Sequence, residues 1–178
     1  VVVSDHGMKE IDNTVDLSSV SSLKGFQTSG KGAVVSFYST DSDKINVAYD
    51  EIKKIPGSFD VYKSNEIPAK WSLVDQDRRG DILVVGKPGT YISFQEGFLP
   101  NQLIPDQARR STHGWDADET HDMDGLFIAS GSMFKKNLII PVFDNVHVYP
   151  LITQILQLHP KIQIDGDVKV LEPILVSK

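Results

Sequence analysis

An α/β fold is what this sequence predicts: a partial sheet covered by helices, with a small strand–helix–strand (α+β) insertion over residues 32–80. Three observations carry the prediction. Val1–Val3 and Ile82–Val85 are unbroken apolar runs, as in strands of a sheet covered on both faces. Apolar residues recur at helical spacing over residues 45–55 and again over 145–156. Gly32–Ser39 has strand character, and Phe59–Ser64 alternates apolar and polar residues as a half-buried strand does.

Each element follows in order. Val1–Val3 reads as the tail of a buried strand, and residues 4–8 as the loop after it, at the carboxyl edge where open α/β sheets bind ligands. A chain that opens on a core strand is expected to belong to a longer natural polypeptide. Lys9–Gly32 is polar and rich in Ser and Lys, so it reads as an excursion from the core. In Ile45–Ile55 the apolar residues Val47, Ile52 and Ile55 define a helical face, and Pro56-Gly57 stops the helix. Asp81–Ser93 reads as two strands joined by a hairpin turn at Gly86-Lys87-Pro88-Gly89. Residues 95–112 read as a long loop and Gly125–Gly131 as a short buried strand. Asn145 is a good N-cap for a helix carrying Val148, Leu151, Ile152, Ile155 and Leu156; Pro150 is tolerated in its first turns and Pro160 ends it.

Charge and composition narrow the chemistry. Eighteen Lys and Arg against 24 Asp and Glu give a net charge of −6, so a broad grip on a nucleic-acid polymer is not expected. With no cysteine, any metal must be held by His, Asp, Glu or hydroxyl oxygen. No run is long and apolar enough to span a membrane. A nucleophile elbow, a Walker loop and a dinucleotide fingerprint are all missing.

Two loci combine carboxylates with imidazoles. Asp5 and His6 are adjacent, so both can reach one metal only if the chain leaves strand geometry there, and Gly7 makes such a turn cheap. The alternative is that Asp5 caps a following segment and His6 merely lies in a loop. Ser111–Gly125 holds His113 and His121 among Asp116, Asp118, Glu119, Asp122 and Asp124. A solvated acidic loop is the alternative there, and the spacing of an EF-hand is missing. His147 and His159 read as structural residues of the last helix, with His159 meeting its end.

The ordered set of motifs is more specific than either locus alone. Asp5-His6-Gly7-Met8 follows an apolar strand; His113-Gly114 comes later, with Asp116 two residues on. Phe59–Trp71 contains an E-I-P-x-x-W segment, and the stretch from His113 to Phe134 is similar to H-G-Y-D…M-x-x-x-F-x-A-x-G-P-x-F. In this order the chain resembles the C-terminal half of the type I phosphodiesterase/nucleotide pyrophosphatase catalytic domain, in the alkaline phosphatase superfamily. The resemblance covers nearly the whole chain, most loosely over Lys9–Thr40. It implies an alkaline-phosphatase-like sheet, with residues 1–178 as the C-terminal part of one catalytic domain. It implies two zinc ions, or other divalent metals, with Asp5 and His6 on one and His113 on the other. The implied substrate is a small phosphate ester, a nucleotide foremost, hydrolysed outside the cell or in the periplasm. The hydroxyl nucleophile and the remaining ligands would precede Val1, which makes the upstream half of the same domain a partner and leaves no catalytic nucleophile in this chain. Trp115 stands where the family has tyrosine and Ser132 where it has proline. His121 has no ligand counterpart and reads as an exposed loop residue. Relatives acting on phosphonates, phosphomonoesters or phospholipid head groups, and a non-catalytic fragment, are the alternatives.

Overall fold

The computed structural model describes residues 1–73, 75–94, 110–159 and 162–176. In chain order the strands and helices are β1 (Val2–Val3), β2 (Lys9–Glu10), β3 (Asn13–Asp16), β4 (Gln27–Lys31), β5 (Val34–Tyr38), α1 (Ser42–Ile52) and β6 (Phe59–Lys63). There follow α2 (Gln76–Arg79), β7 (Ile82–Gly86), β8 (Thr90–Ser93), β9 (Ser111–Thr112), β10 (Phe127–Ile128) and α3 (Val148–Ile155). The chain divides into two compact units, one of Gly7–Asp124 and one of Val1–His6 with Gly125–Lys178.

The larger unit is built on an antiparallel sheet ordered β4-β5-β7-β6. Val35 and Phe37 of β5, Val61 of β6, and Ile82 and Val84 of β7 turn to one face, where Ala48, Tyr49 and Ile52 of α1 cover them. Leu83 and Val85 turn to the other face of β7 and are buried as well. A strand buried on both faces has no polar side to alternate with, which is why this segment reads as an unbroken apolar run. Helix α1 starts where Asp41 caps it, its Oδ1 accepting from the Asp43 and Lys44 amides at 3.1 Å. Its buried face is Ala48, Tyr49 and Ile52, whereas Val47 points to water, a correction of one residue to the predicted face.

Three further readings change in this unit. Lys9–Gly32 is not an excursion: it contributes β2, β3 and β4, and places Val15, Leu17, Val20 and Leu23 in the main core. Its polar residues are used locally, as where Asp16 accepts from the Ser18 amide and hydroxyl at 2.9 Å. The turn after β7 joins no hairpin, because β8 leaves to pair in parallel with β3, Val15 opposite Ile92. Gly89 makes that departure possible: its φ is +88°, and a Cβ there would run into the Asp12 carboxylate. Of the predicted loop over 95–112, residues 95–109 lie outside the described residues, and Ser111–Thr112 form β9, paired antiparallel with β2.

The smaller unit pairs β1 with β10, Val2 opposite Ile128 and Val3 opposite Phe127. Strand character was legible at both segments, but burial was not: Val1, Val2, Val3, Leu126 and Ile128 are exposed. The pairing is antiparallel and two-stranded, so neither strand sits inside a covered parallel sheet. The core here gathers Val148 and Leu151 of α3 with Leu171 and Ile174, and Phe127 packs edge-on against Phe143 at 5.2 Å. A 3-10 turn over Asn145–His147 precedes α3, so Asn145 lies inside that turn and does not cap the helix. Pro150 is accommodated at the third helical position, as expected. His147 is structural, its Nδ1 accepting from the Asp167 amide at 3.0 Å. Helix α3 ends at Ile155, so His159 does not meet the helix end; Pro160 lies outside the described residues.

Candidate functional site

Ser4 is the last residue held by strand-type pairing, its amide donating to the Leu126 carbonyl at 2.9 Å and its Oγ accepting from the Leu126 amide at 2.7 Å. Beyond it the chain bends, and the next two side chains turn to the same side. Asp5 Oδ2 lies 3.3 Å from His6 Nε2, and Asp5 Oδ1 accepts from the His6 amide at 3.0 Å. The departure from strand geometry that a shared ligand role demands is present. Two donors on one tetrahedral zinc, each about 2.0–2.2 Å from the ion, lie roughly 3.4 Å apart, so this carboxylate–imidazole spacing fits the metal. The Asp5 side chain is 82% exposed and that of His6 32%. Gly7 has a different reason from the one expected. Its amide donates to the Met123 carbonyl at 3.0 Å, and a Cβ would collide with the Asp122 and Asp124 carbonyls. Close backbone approach demands glycine there.

His113 sits on a short exposed link between two anchors. On one side Thr112 pairs with Lys9. On the other, Trp115 is buried against Ala33 and Met123, and its Nε1 donates to the Thr90 carbonyl at 3.1 Å. Gly114 between them holds a φ of +106°, a conformation L side chains rarely adopt. The residue after Trp115 secures the link. Asp116, its side chain 10% exposed, receives the Lys70 ammonium at 2.6 Å, the Trp71 Nε1 at 3.0 Å and the Asp118 amide at 2.9 Å. Burial pushes the Asp116 carboxyl up, and Lys70, the Asp118 amide and the Trp71 indole outweigh it, holding the group below the ordinary carboxylate range. Hydrogen bonds to Asp116 and Asp118 hold the Lys70 ammonium well above its ordinary value.

This gives the E-I-P-x-x-W segment a physical reading. Glu66 accepts from the Tyr49 hydroxyl at 2.8 Å and the Lys63 amide at 3.0 Å, fixing the exit from β6. A 3-10 turn over Ala69–Trp71 then presents Lys70 and Trp71 together to Asp116, with Trp71 edge-on to Tyr62 at 5.5 Å. A cavity of about 410 Å³ lies between this turn and the far face of the sheet, lined by Val34, Leu83, Val85, Trp71, Trp115 and Asp116 among others. Farther along the loop, Lys87 bridges Asp60 at 2.7 Å and Glu119 at 2.8 Å, and Lys9 pairs with Asp122 at 2.9 Å. His121 is 92% exposed, as expected, and opens a 3-10 turn over His121–Met123, with Nδ1 3.0 Å from Asp124.

Of the three predicted ligands, Asp5 and His6 come together in the smaller unit, while His113 belongs to the larger. Among the described residues no three His, Asp or Glu side chains gather into a metal-holding group. Lys70 and Trp71, which meet Asp116, were not among the predicted site residues. The signal for Lys70 was the density of acids after His113, which demands cations from elsewhere in the chain.

The fold defines the class first: an α/β protein with the alkaline-phosphatase-like sheet. It superposes on human ectonucleotide pyrophosphatase/phosphodiesterase 5 with a TM-score of 0.83 at 21% identity, over 98% of this chain and 44% of that one. The murine counterpart, in an inactive form in complex with AMP, superposes at 0.82 and 24% identity. The sequence supplies the family: the model of type I phosphodiesterase / nucleotide pyrophosphatase matches residues 1–116, and the chain belongs to that family. An ectonucleotide pyrophosphatase/phosphodiesterase of Caenorhabditis elegans is 30% identical over 177 residues, 98% of this chain and 22% of that protein. A bis(5'-adenosyl)-triphosphatase of Xenopus laevis is 28% identical over 158 residues, 88% of this chain and 32% of that one. The chain thus spans well under half the length of these relatives.

Proposed function

We propose that this chain supplies part of the metal site of a hydrolase that cleaves phosphodiester or pyrophosphate bonds in nucleotides or related phosphate esters. Asp5 and His6 would hold one zinc ion and His113 a second. The observation that carries the reading is the turned pair Asp5–His6, whose 3.3 Å separation matches the bite of two donors on one ion. Bound there, a divalent metal supplies positive charge for the phosphoryl oxygens and lowers the pKa of a bound water or hydroxyl nucleophile. Such local charge lets a protein of net charge −6 accept an anionic substrate.

The chain's own residues prepare for this. Asp5, exposed, offers a carboxylate oxygen; His6 is held beside it by the shared backbone bend. Gly114 and the buried Trp115 present the exposed His113 imidazole from an anchored loop. The hydroxyl nucleophile is assigned to the upstream half of the same domain. Among the described residues no helix is long and apolar enough to cross a membrane. An extracellular site is the reading that the relatives' "ecto" names support.

The test is hydrolysis by the full-length gene product, supplied with zinc, of a nitrophenyl ester of a nucleoside monophosphate against nitrophenyl phosphate. We expect the diester to be preferred, and turnover to be lost on chelation and in His113→Ala, with a fall in bound zinc. Unchanged activity and zinc content in that variant would overturn the assignment. Faster monoester cleavage would move the protein to a phosphomonoesterase reading.

A further inference from the structure

We infer that Lys70, with Trp71, is a positioning residue for the metal site, acting through Asp116 on the loop that carries His113. The inference rests on the reading of His113 as a ligand and extends it to residues more than forty positions away in sequence. Its basis is the convergence of three donors on one carboxylate. Lys70, Trp71 and the Asp118 amide all reach Asp116, at 2.6, 3.0 and 2.9 Å. That carboxylate is nearly buried, and it lies one residue beyond the buried Trp115 and three beyond His113.

The brace acts one residue beyond the buried Trp115, whose Nε1 donates to the Thr90 carbonyl. Gly114 gives His113 a neighbour with no side chain to pack. The link runs four residues from the β9 pairing at Thr112 to Asp116, so a shift at either end moves the backbone that carries the imidazole. One end is a ladder pairing; the other is the buried Trp115 and, next to it, the nearly buried Asp116 carboxylate with the partly exposed Lys70 and the Trp71 indole on it. A nearly buried carboxylate that loses its cation must find water or another donor, and the backbone that carries it shifts to do so. Lys87 is the internal standard. It also makes two ion pairs, one of them to Glu119 on the same loop, but it attaches beyond Asp116. General fastening of the loop would make the two lysines equivalent; positioning of His113 would not.

The experiment measures zinc affinity of the full-length protein by competition with a chromophoric chelator, with the melting temperature of each metal-free variant recorded beside it. Lys70→Met is expected to weaken the His113-dependent zinc by about 10-fold or more, the scale at which outer-shell partners act on metal sites. Lys87→Met is expected to leave it unchanged at a similar loss of melting temperature. Lys70→Arg, which keeps the charge, is expected to restore most of the affinity. Asp116→Asn keeps the shape and is expected to weaken zinc as Lys70→Met does, which preserves the test should Lys70→Met fail to fold. Equal effects of Lys70→Met and Lys87→Met, or none from Lys70→Met and Asp116→Asn, would overturn the inference alone, provided His113→Ala loses zinc. Full zinc content in His113→Ala would instead bring down the metal reading and this inference with it.

Discussion

The two units treat apolar side chains in opposite ways. In Gly7–Asp124 the described large apolar residues are mostly enclosed; Met8, Val47 and Leu73 are the ones left exposed. In the smaller unit Ile139, Val142 and Ile162 stand mostly in solvent, and Val1, Val2 and Val3 at the start of the chain are exposed as well. The candidate ligands inherit the contrast. His113 stands on a loop fastened by a buried indole and a nearly buried carboxylate with its ion pair, whereas Asp5 and His6 follow a two-residue strand held mainly by backbone bonds. Of the three candidate ligands, His113 is therefore placed by side-chain packing and charge, and Asp5 and His6 by strand pairing.

Truncations in the two cores test that contrast most severely. Phe37 is fully buried and meets Phe94 edge-on at 5.1 Å, so Phe37→Ala should cost about 3–5 kcal/mol. Trp71 and Trp115 both lie in the larger unit, so tryptophan fluorescence in urea reads that unit directly. Leu151 is the fully buried centre of the smaller core, and Leu151→Ala should cost about 2–5 kcal/mol, followed by far-ultraviolet circular dichroism. A tryptophan transition displaced as far by Leu151→Ala as by Phe37→Ala would break the distinction, since the chain would then unfold as one body.

How far the sequence revealed each region follows from what decides burial. Strand β7 was legible because both of its faces are covered within the chain, which leaves an unbroken apolar run. The opening valines carried the same local signal, yet burial depends on partners that no local pattern contains. In Lys9–Gly32 the core residues Val15, Leu17, Val20 and Leu23 are spaced by polar residues engaged in turns, so composition concealed a core segment. The hairpin reading at Gly86–Gly89 failed because β8 pairs with a strand 77 residues earlier. Asp5, His6 and His113 stood out as carboxylate and imidazole loci, and only the resemblance between ordered motifs singled them out as candidate ligands. The Lys70–Asp116 pair, at 46 residues' separation, has no periodicity to betray it.

Two smaller substitutions sharpen the account of the larger unit. Gly89→Ala places a side chain at a φ of +88° and against the Asp12 carboxylate, at a cost of about 1–2 kcal/mol from the backbone conformation alone. Because Gly89 also supplies the carbonyl that accepts from the Asp12 and Asn13 amides, the loss should appear in the β3–β8 pairing as faster amide exchange. Asp41→Ala removes the acceptor for two amides at the start of α1 and should cost about 1 kcal/mol. Wild-type stability in either variant would show that the element is held by packing alone.

The weakest expected effect bears on the brace beside His113. The folded Asp116 carboxyl titrates below the ordinary range and the unfolded one near pH 3.9, so the unfolded chain binds the proton first as pH falls. Its contribution to stability is therefore complete above about pH 5 and disappears as pH drops through the folded value. Glu51, Glu66 and Asp122 shift in the same direction, so acid weakens the wild type through several groups at once. The difference between wild type and Asp116→Asn isolates the one carboxylate. That gap, read from the tryptophan-detected midpoint, should be widest near pH 6 and should narrow between pH 5 and 3, because a protonated Asp116 resembles asparagine. A gap independent of pH would mean that Lys70 and Trp71 gain nothing from the charge on Asp116, and that the loop is held by the shape of Trp115 and its neighbours.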